Sequence, residues 1–328
     1  MELSGALVGI GIVQTVVYLL FIRAIDLYER EPLRYVVPVF VWGFTVAVVA
    51  SLFFNTIFAF TVSTVASRGV TNFLTAVVGA PVIEECSKGL ALLIIFFVAY
   101  VARRRSGLVE FAGVMDGIVY GSAVGFGFAI AEDILYGVQY GAETFVMRRV
   151  FGGFAHAAFT SLTGIGIGLI PFVQNKIFKP IPPLLGLLGA IFLHATFNFT
   201  ATVFGLVAYV FLFFVVLAYL LVIVACLAFA RRTIRSELRD EVGTTITPQE
   251  YTILPTYFRR TGYYLRLALS GQLLTCAHAR RLHSAAVDLA LAKRLARRFR
   301  TPVRTERVRA LRRKISNLRA GAALPTTP

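Results

Sequence analysis

Charge is scarce in this chain. Only 15% of its 328 residues are Asp, Glu, Lys or Arg, where a soluble domain carries about a quarter. With 57% hydrophobic residues and a mean hydropathy of +0.75, an ordinary soluble globule is excluded and a polytopic membrane protein is indicated. Cysteine is nearly absent too. Cys86, Cys226 and Cys276 stand far apart, which gives neither a disulfide framework nor a metal-type spacing. Cys86 reads as a small buried thiol rather than a nucleophile. The sequence also lacks an HExxH motif, any visible nucleic-acid module and any internal repeat. No Lys or Arg precedes the first apolar segment, so that segment reads as a retained signal anchor, not a cleaved leader.

The cations that are present are unevenly placed. Residues 231–328 hold 21 Lys+Arg against 6 Asp+Glu, a net +15 of the chain's +16; residues 1–230 hold 12 against 11. The sequence therefore divides into a nearly neutral membrane domain, 1–230, and a strongly basic tail, 231–328. Such a tail is expected to be cytoplasmic and to face anionic lipid. Nucleic acid is the rival partner, without a module to support it. Within the tail, Gly243–Pro248 reads as a turn, and Tyr251, Tyr257, Tyr263 and Tyr264 suit an interface. Ala277–Arg300 and Val303–Leu318 read as two amphipathic basic helices broken at Thr301-Pro302. His278 and His283 are expected to be solvated, and Gly321–Pro328 disordered.

The membrane domain offers apolar segments at about 5–22, 35–62, 72–101, 111–136, 150–173, 184–199 and 203–230. The predicted fold is all-α, a polytopic transmembrane bundle of about seven spans, or eight if residues 60–80 hide another. The mixed-charge loop Arg23–Pro32 is expected to form a short interfacial helix ending at the proline. Glycines at 113, 117, 121 and 125 recur every four residues and mark a face for close helix approach. The inner loops would hold Arg23, Arg30, Arg34, Arg103–Arg105, Lys176 and Lys179, against Arg68, Arg148 and Arg149 outside. That bias places the N-terminus outside the cell membrane and the tail in the cytoplasm.

The informative stretch is Pro81-Val-Ile-Glu-Glu-Cys-Ser-Lys88, with apolar chain on both sides. Each charge at mid-bilayer costs about 2.5–3.5 kcal/mol on insertion scales, so Glu84, Glu85 and Lys88 need partners. Glu84 and Lys88 are four apart and share a helical face; Glu85 points about 100° away. Candidate partners are Glu132 and Asp133, His156, and the i,i+4 pair His194 and Asn198. In the orientation above, these sets share a depth in the outer half of the bilayer. His156 shares a face with Thr160, and Gly152 and Gly153 would leave room beside it. Asp116 falls in the inner half, as a structural or cavity-lining residue.

A carboxylate, two imidazoles and a carboxamide around one wet cavity suffice for amide hydrolysis. The carboxylate takes a proton from water with a histidine's help. Asn and His donors then stabilise the tetrahedral oxyanion. Two other classes stay open: a proton relay or proton-coupled transporter, which uses the same residue types, and a scaffold that binds a partner helix without catalysis.

Glu-Glu-x-x-Lys at 84–88, Glu132-Asp133 after Gly-Phe-Ala129, the His156 segment and His194-x-x-x-Asn198 together resemble the PrsW family of intramembrane proteases. These are relatives of the CAAX prenyl endopeptidases and the bacteriocin-immunity membrane proteins. Asp26-Leu-Tyr-Glu-Arg-Glu-Pro32 also resembles that family's first loop, and the likeness covers about 5–230. The resemblance implies a glutamate-type peptidase without a cofactor. Glu84 with His156 would activate water, Glu85 would support it, and His194 with Asn198 would form the oxyanion hole; Glu132 joins the site. The implied substrate is a membrane-anchored protein, such as an anti-sigma factor, cut on the extracytoplasmic side. Asp133 stands where the family pattern has Asn. Lys88 stands where the CAAX branch has an Arg one position later, which argues against prenyl-protein processing. The alternative is a zinc site from His156, His194 and Glu84.

Overall fold

A computed structural model describes residues 2–26, 28, 31–106, 113–298 and 302–321. The expectations placed on Arg30, on the side chains of Arg103–Arg105, on Thr301 and on residues 322–328 fall outside that set. Among the described residues every regular element is helical, with a single isolated bridge, Val242 to Ile246. The chain divides into two compact units, Met1–Asp26 with Glu31–Ile223, and Leu27–Arg30 with Val224–Pro328.

The first unit begins with α1 (Gly5–Ile25), capped by the Ser4 hydroxyl. Next, α2 (Leu33–Trp42) passes through a π-helical turn, 43–47, into α3 (Val48–Ser63). α4 (Arg68–Leu74) runs through a second π-turn, 75–79, into α5 (Ala80–Ser106). α6 (Val114–Tyr140), α7 (Ala142–Gly152), α8 (Ala155–Gly168), α9 (Ile181–Phe204) and α10 (Ala208–Leu238) follow. Among the described residues, five stretches are long and apolar enough to cross a membrane: Gly5–Ile25, Leu33–Ser63, Val114–Tyr140, Ala155–Phe172 and Lys176–Glu241. The last contains both α9 and α10, which part at Gly205, where φ is +59°. α5, with the charged motif, is not among the five.

The centre of this unit is α6, buried along most of its length. Its glycine stripe explains how. A methyl group at Gly117 would stand 2.0 Å from the Gly164 carbonyl oxygen, and one at Gly125 would stand 2.4 Å from that of His156. Small residues let α6 and α8 approach to backbone contact, as the spacing predicts.

Several local expectations are corrected. Among the described residues of the Arg23–Pro32 loop, only the first three are helical; they extend α1, and Pro32 is the extended N-cap that precedes α2. The sixth apolar segment is a 24-residue helix, because Pro182 and Pro183 occupy its first turn, where a missing N–H costs nothing. The fifth is two helices. α7 turns off after Gly141, whose φ of 95° suits glycine, and the chain breaks again at Gly153. Gly153 is therefore a corner packed on Tyr18 and the Arg149 carbonyl, not open space beside His156.

The second unit has its own core. α10 ends in it, followed by α11 (Pro248–Ile253), α12 (Tyr257–Leu269), α13 (Leu273–Arg298) and α14 (Pro302–Ala320). Thr247 and Glu250 form a reciprocal capping box that starts α11 at the expected turn. Ile234, Leu238, Ile246, Leu254, Leu282, Leu289, Leu311 and Ile315 pack together. The apolar faces of α13 and α14 are thus spent on protein. His283 is buried, not solvated, and shares a 2.9 Å hydrogen bond with the Tyr264 hydroxyl. Burial lowers its pKa to about 4.

Candidate active site

Lys88 is the hub. Its ammonium is fully buried, and three groups lie within hydrogen-bond reach: Glu85 Oε1 at 2.8 Å, His156 Nδ1 at 3.0 Å and Glu84 Oε2 at 3.4 Å. The Phe128 ring closes the fourth side, with its centroid 3.7 Å from Nζ. Glu85 does not point to a separate neighbour, as its helical offset implied. It shares the same cation and makes the shorter contact, i,i+3. Its other oxygen accepts from the Thr160 hydroxyl at 3.0 Å.

Three helices bring partners to this hub. α6 contributes Glu132, α8 contributes His156 in its first turn, and α9 contributes His194. An ammonium only donates, so His156 Nδ1 accepts from Lys88, and Nε2–H donates to Glu132 Oε2 at 2.8 Å. Both nitrogens of His156 are thereby engaged. His194 differs. Its Nδ1 lies 3.1 Å from Glu85 Oε1, while Nε2 lies 3.8 Å from Glu84 Oε2. That separation is too long for a direct hydrogen bond; a water bonded to both groups at about 2.8 Å would lie off the line between them. The two imidazoles cross nearly edge to face, centroids 5.1 Å apart.

Asn198, one turn beyond His194, donates its Nδ2 to the Ala76 carbonyl at 2.8 Å. Ala76 lies in the π-turn that leads into α5, so this amide clasps the entrance to the charged motif. One Nδ2 hydrogen remains for another acceptor. On the other side, Trp42 Nε1 donates to the Ser87 carbonyl at 3.1 Å.

Sequence reasoning missed the arginines. Arg148 and Arg149 were assigned to an outer loop, yet they lie on α7 and fold back onto α6. Arg148 donates Nη2 to Glu132 Oε2 at 2.5 Å and Nε to Asp133 Oδ1 at 2.6 Å. Arg149 is buried and donates to Asp133 Oδ2 at 2.8 Å and to Thr15 and Gln14 of α1 at 3.2 Å. Two adjacent carboxylates meet two adjacent guanidiniums, a charge match that could have been read from the sequence. Asp133 faces the arginines rather than the hub. Asp116 sits instead with Asp26 and Glu31, their oxygens within 4.8 Å of one another.

Glu84, His156 and His194 offer three donor atoms, all within 4.8 Å of one another. By donor type this set fits zinc. The Lys88 ammonium already contacts two of the three residues, so a metal ion and this cation would compete for the same donors.

Residues 31–225 match a family model described as PrsW family intramembrane metalloprotease. Protease PrsW of Geobacillus kaustophilus is 31% identical over 171 residues, 52% of this chain and 69% of that protein. Protease PrsW of Shouchella clausii is 34% identical over 137 residues, 42% and 60% of the two chains. Protease PrsW of Bacillus subtilis is 26% identical over 197 residues, 60% and 83%. No solved structure matches the chain.

Proposed function

From the premise that this chain belongs to the PrsW family and is an integral membrane protease, we propose that it hydrolyses a membrane-anchored protein substrate with Glu84 as the general base. The observation that carries this reading is the 3.8 Å gap between Glu84 Oε2 and His194 Nε2, beside a fixed ammonium. A water held by both groups, off the line between them, donates one hydrogen to each. Glu84 takes a proton as the oxygen adds to the scissile carbonyl. The oxyanion then collapses with breakage of the C–N bond as the protonated Glu84 returns that proton to the leaving amine. Glu85, tied to Lys88, Thr160 and His194, stays ionised and fixes the His194 tautomer. His156 with Glu132 and Arg148 forms a second chain that orients Lys88. This exchanges the two histidines relative to the expectation from resemblance. His194 flanks the water, because His156 has no free nitrogen. The second Asn198 hydrogen is the candidate oxyanion donor.

Further elements of the proposal rest on topology. Residues 1–230 form the protease domain and 231–328 a basic cytoplasmic tail facing anionic lipid. Tyr28, between the first two apolar helices, belongs to the same unit as the tail. One span, α1, then separates the N-terminus from that side, which supports an external N-terminus. An anti-sigma factor or a similar anchored regulator is the substrate class we favour.

The zinc reading keeps one specific support, the Glu84, His156 and His194 donor set together with the family description. An ion held there would polarise a carbonyl and acidify bound water. Cleavage of an anchored reporter by purified wild type, Glu84→Gln, His156→Ala and His194→Ala, with and without chelator, separates the two. Loss in Glu84→Gln and His194→Ala with chelator-insensitive wild type is expected. Activity lost to chelator and restored by zinc would transfer the proposal to the metal. Unimpaired Glu84→Gln would remove it altogether.

A further inference from the structure

Beyond α10, the described residues of the second unit hide most of their large apolar side chains but leave a stripe uncovered. Phe258, Leu265 and Leu269 lie on one face of α12, at i, i+7 and i+11, and are 84%, 56% and 79% exposed. Past the Ser270–Gln272 turn, Leu273 and Leu274 at the start of α13 are 66% and 89% exposed. The opposite side of α12 is fully used. Tyr264 bonds His283, Tyr263 stacks near it, and the buried Arg260 lies over the Tyr28 ring. α12 is therefore held in place while its apolar stripe faces outward. Five large apolar side chains in one strip exceed the scattered exposure normal for a soluble surface. Arg259 and Arg266, both exposed, line one side of the stripe, at about 80–100° around the helix.

We propose that this stripe is a membrane-surface anchor. α12 and the α12–α13 turn lie in the headgroup region of the anionic leaflet, with Phe258, Leu265, Leu269, Leu273 and Leu274 among the acyl chains. Arg259 and Arg266 contact lipid phosphates. The inference rests on the reading that the tail faces anionic lipid, and it changes which helices do so. The sequence pointed to α13 and α14, whose apolar faces the core consumes. Charge selects the occupant. A unit with net +15 repels a second copy of itself and is drawn to an anionic surface. Connectivity supplies proximity, since α10 runs as one helix from an apolar stretch into this unit. The tether makes docking intramolecular, so a short apolar stripe with two arginines suffices.

The test uses the full chain in nanodiscs of phosphatidylglycerol or phosphatidylcholine carrying brominated acyl chains, which quench nearby tryptophan. Leu269→Trp reports the stripe, Ser316→Trp reports an exposed position on another helix, α14, and the signal of the native Trp42 is subtracted. The added tryptophan of Leu269→Trp is expected to lose most of its emission in phosphatidylglycerol, and much less in phosphatidylcholine or at high salt. Ser316→Trp is expected to keep its emission throughout. Quenching of Ser316→Trp but not Leu269→Trp would overturn the stripe while leaving the tail against lipid. Quenching of neither would overturn both. Equal quenching of Leu269→Trp in the two lipids would overturn the selection for anionic headgroups. Emission that changes with the number of chains per disc would assign the stripe to a second copy.

Discussion

Lys88→Met is the most revealing single change. Methionine nearly matches the lysine stem in volume, so the substitution isolates the charge. The wild-type ammonium has no solvent contact and is held by Glu84, Glu85 and His156 at 2.8–3.4 Å. Removing it leaves two adjacent carboxylates buried without their cation. Breaking a buried ion pair from one side costs about 3–5 kcal/mol, mostly from the charge left behind. Lys88→Met should therefore unfold at correspondingly lower denaturant in mixed micelles, by about that free energy. Glu85→Gln in the same background removes the worse of the two orphaned charges. The double variant should recover about 1–3 kcal/mol of the loss, the range expected for residues in one ion-pair network. Cleavage should be absent in both variants, because His156 loses its donor and Glu84 its neighbouring charge. A single variant within 1 kcal/mol of wild type, or a double variant no better than the single, would refute the hub. So would retained cleavage in Lys88→Met.

Other consequences follow from the same geometry. Arg148→Ala removes the guanidinium from the Glu132 oxygen that His156 uses; kcat should fall about 10–100-fold with KM nearly unchanged, given about 1.5–3 kcal/mol for a charged hydrogen bond. Arg148→Lys should restore part of it, and an unchanged kcat would show that α7 only packs. Gly117→Ala drives a methyl into the Gly164 carbonyl and should reduce the folded yield sharply, whereas Gly152→Ala, with nothing within 4 Å, should fold as wild type. His283 is held neutral when folded, with its pKa lowered to about 4 from an ordinary 6.5. Below pH 6.5 the unfolded tail takes up a proton that the folded tail refuses, so stability is full above 6.5 and falls as pH drops toward 4. The loss is about 3 kcal/mol at most. Hydrogen exchange across α12 and α13 should accelerate over that window in wild type and not in His283→Gln.

Much of the fold is legible in the sequence, and particular residues show why. Apolar segments of spanning length announce helices, because lipid leaves no other way to satisfy the backbone. The glycines at 117, 121 and 125 announce a close contact, although not that α8 is the partner. The site was legible as a set of residues without its wiring. Glu84, Glu85, Lys88, Glu132, His156 and His194 do meet. Resemblance makes Asn198 an oxyanion donor, whereas its observed bond goes to a π-turn carbonyl, a geometry that helical spacing cannot show. Arg148 and Arg149 look like a topological signal in the sequence, because local spacing does not reveal the chain breaks at Gly141 and Gly153. In the tail, the sequence pattern marks amphipathic helices near α13 and α14, but periodicity does not say whether an apolar face meets lipid or another helix.

By itself, then, the sequence determined composition and period: an all-helical membrane chain, a basic tail, and a short list of polar residues too costly to bury without partners. Tertiary structure alone decided the pairing. Which oxygen each histidine faces, which helix folds back to lend its arginines, and which apolar stripe stays open all depend on contacts between distant segments. Such contacts are fixed by packing in three dimensions, and local spacing along the chain carries no record of them.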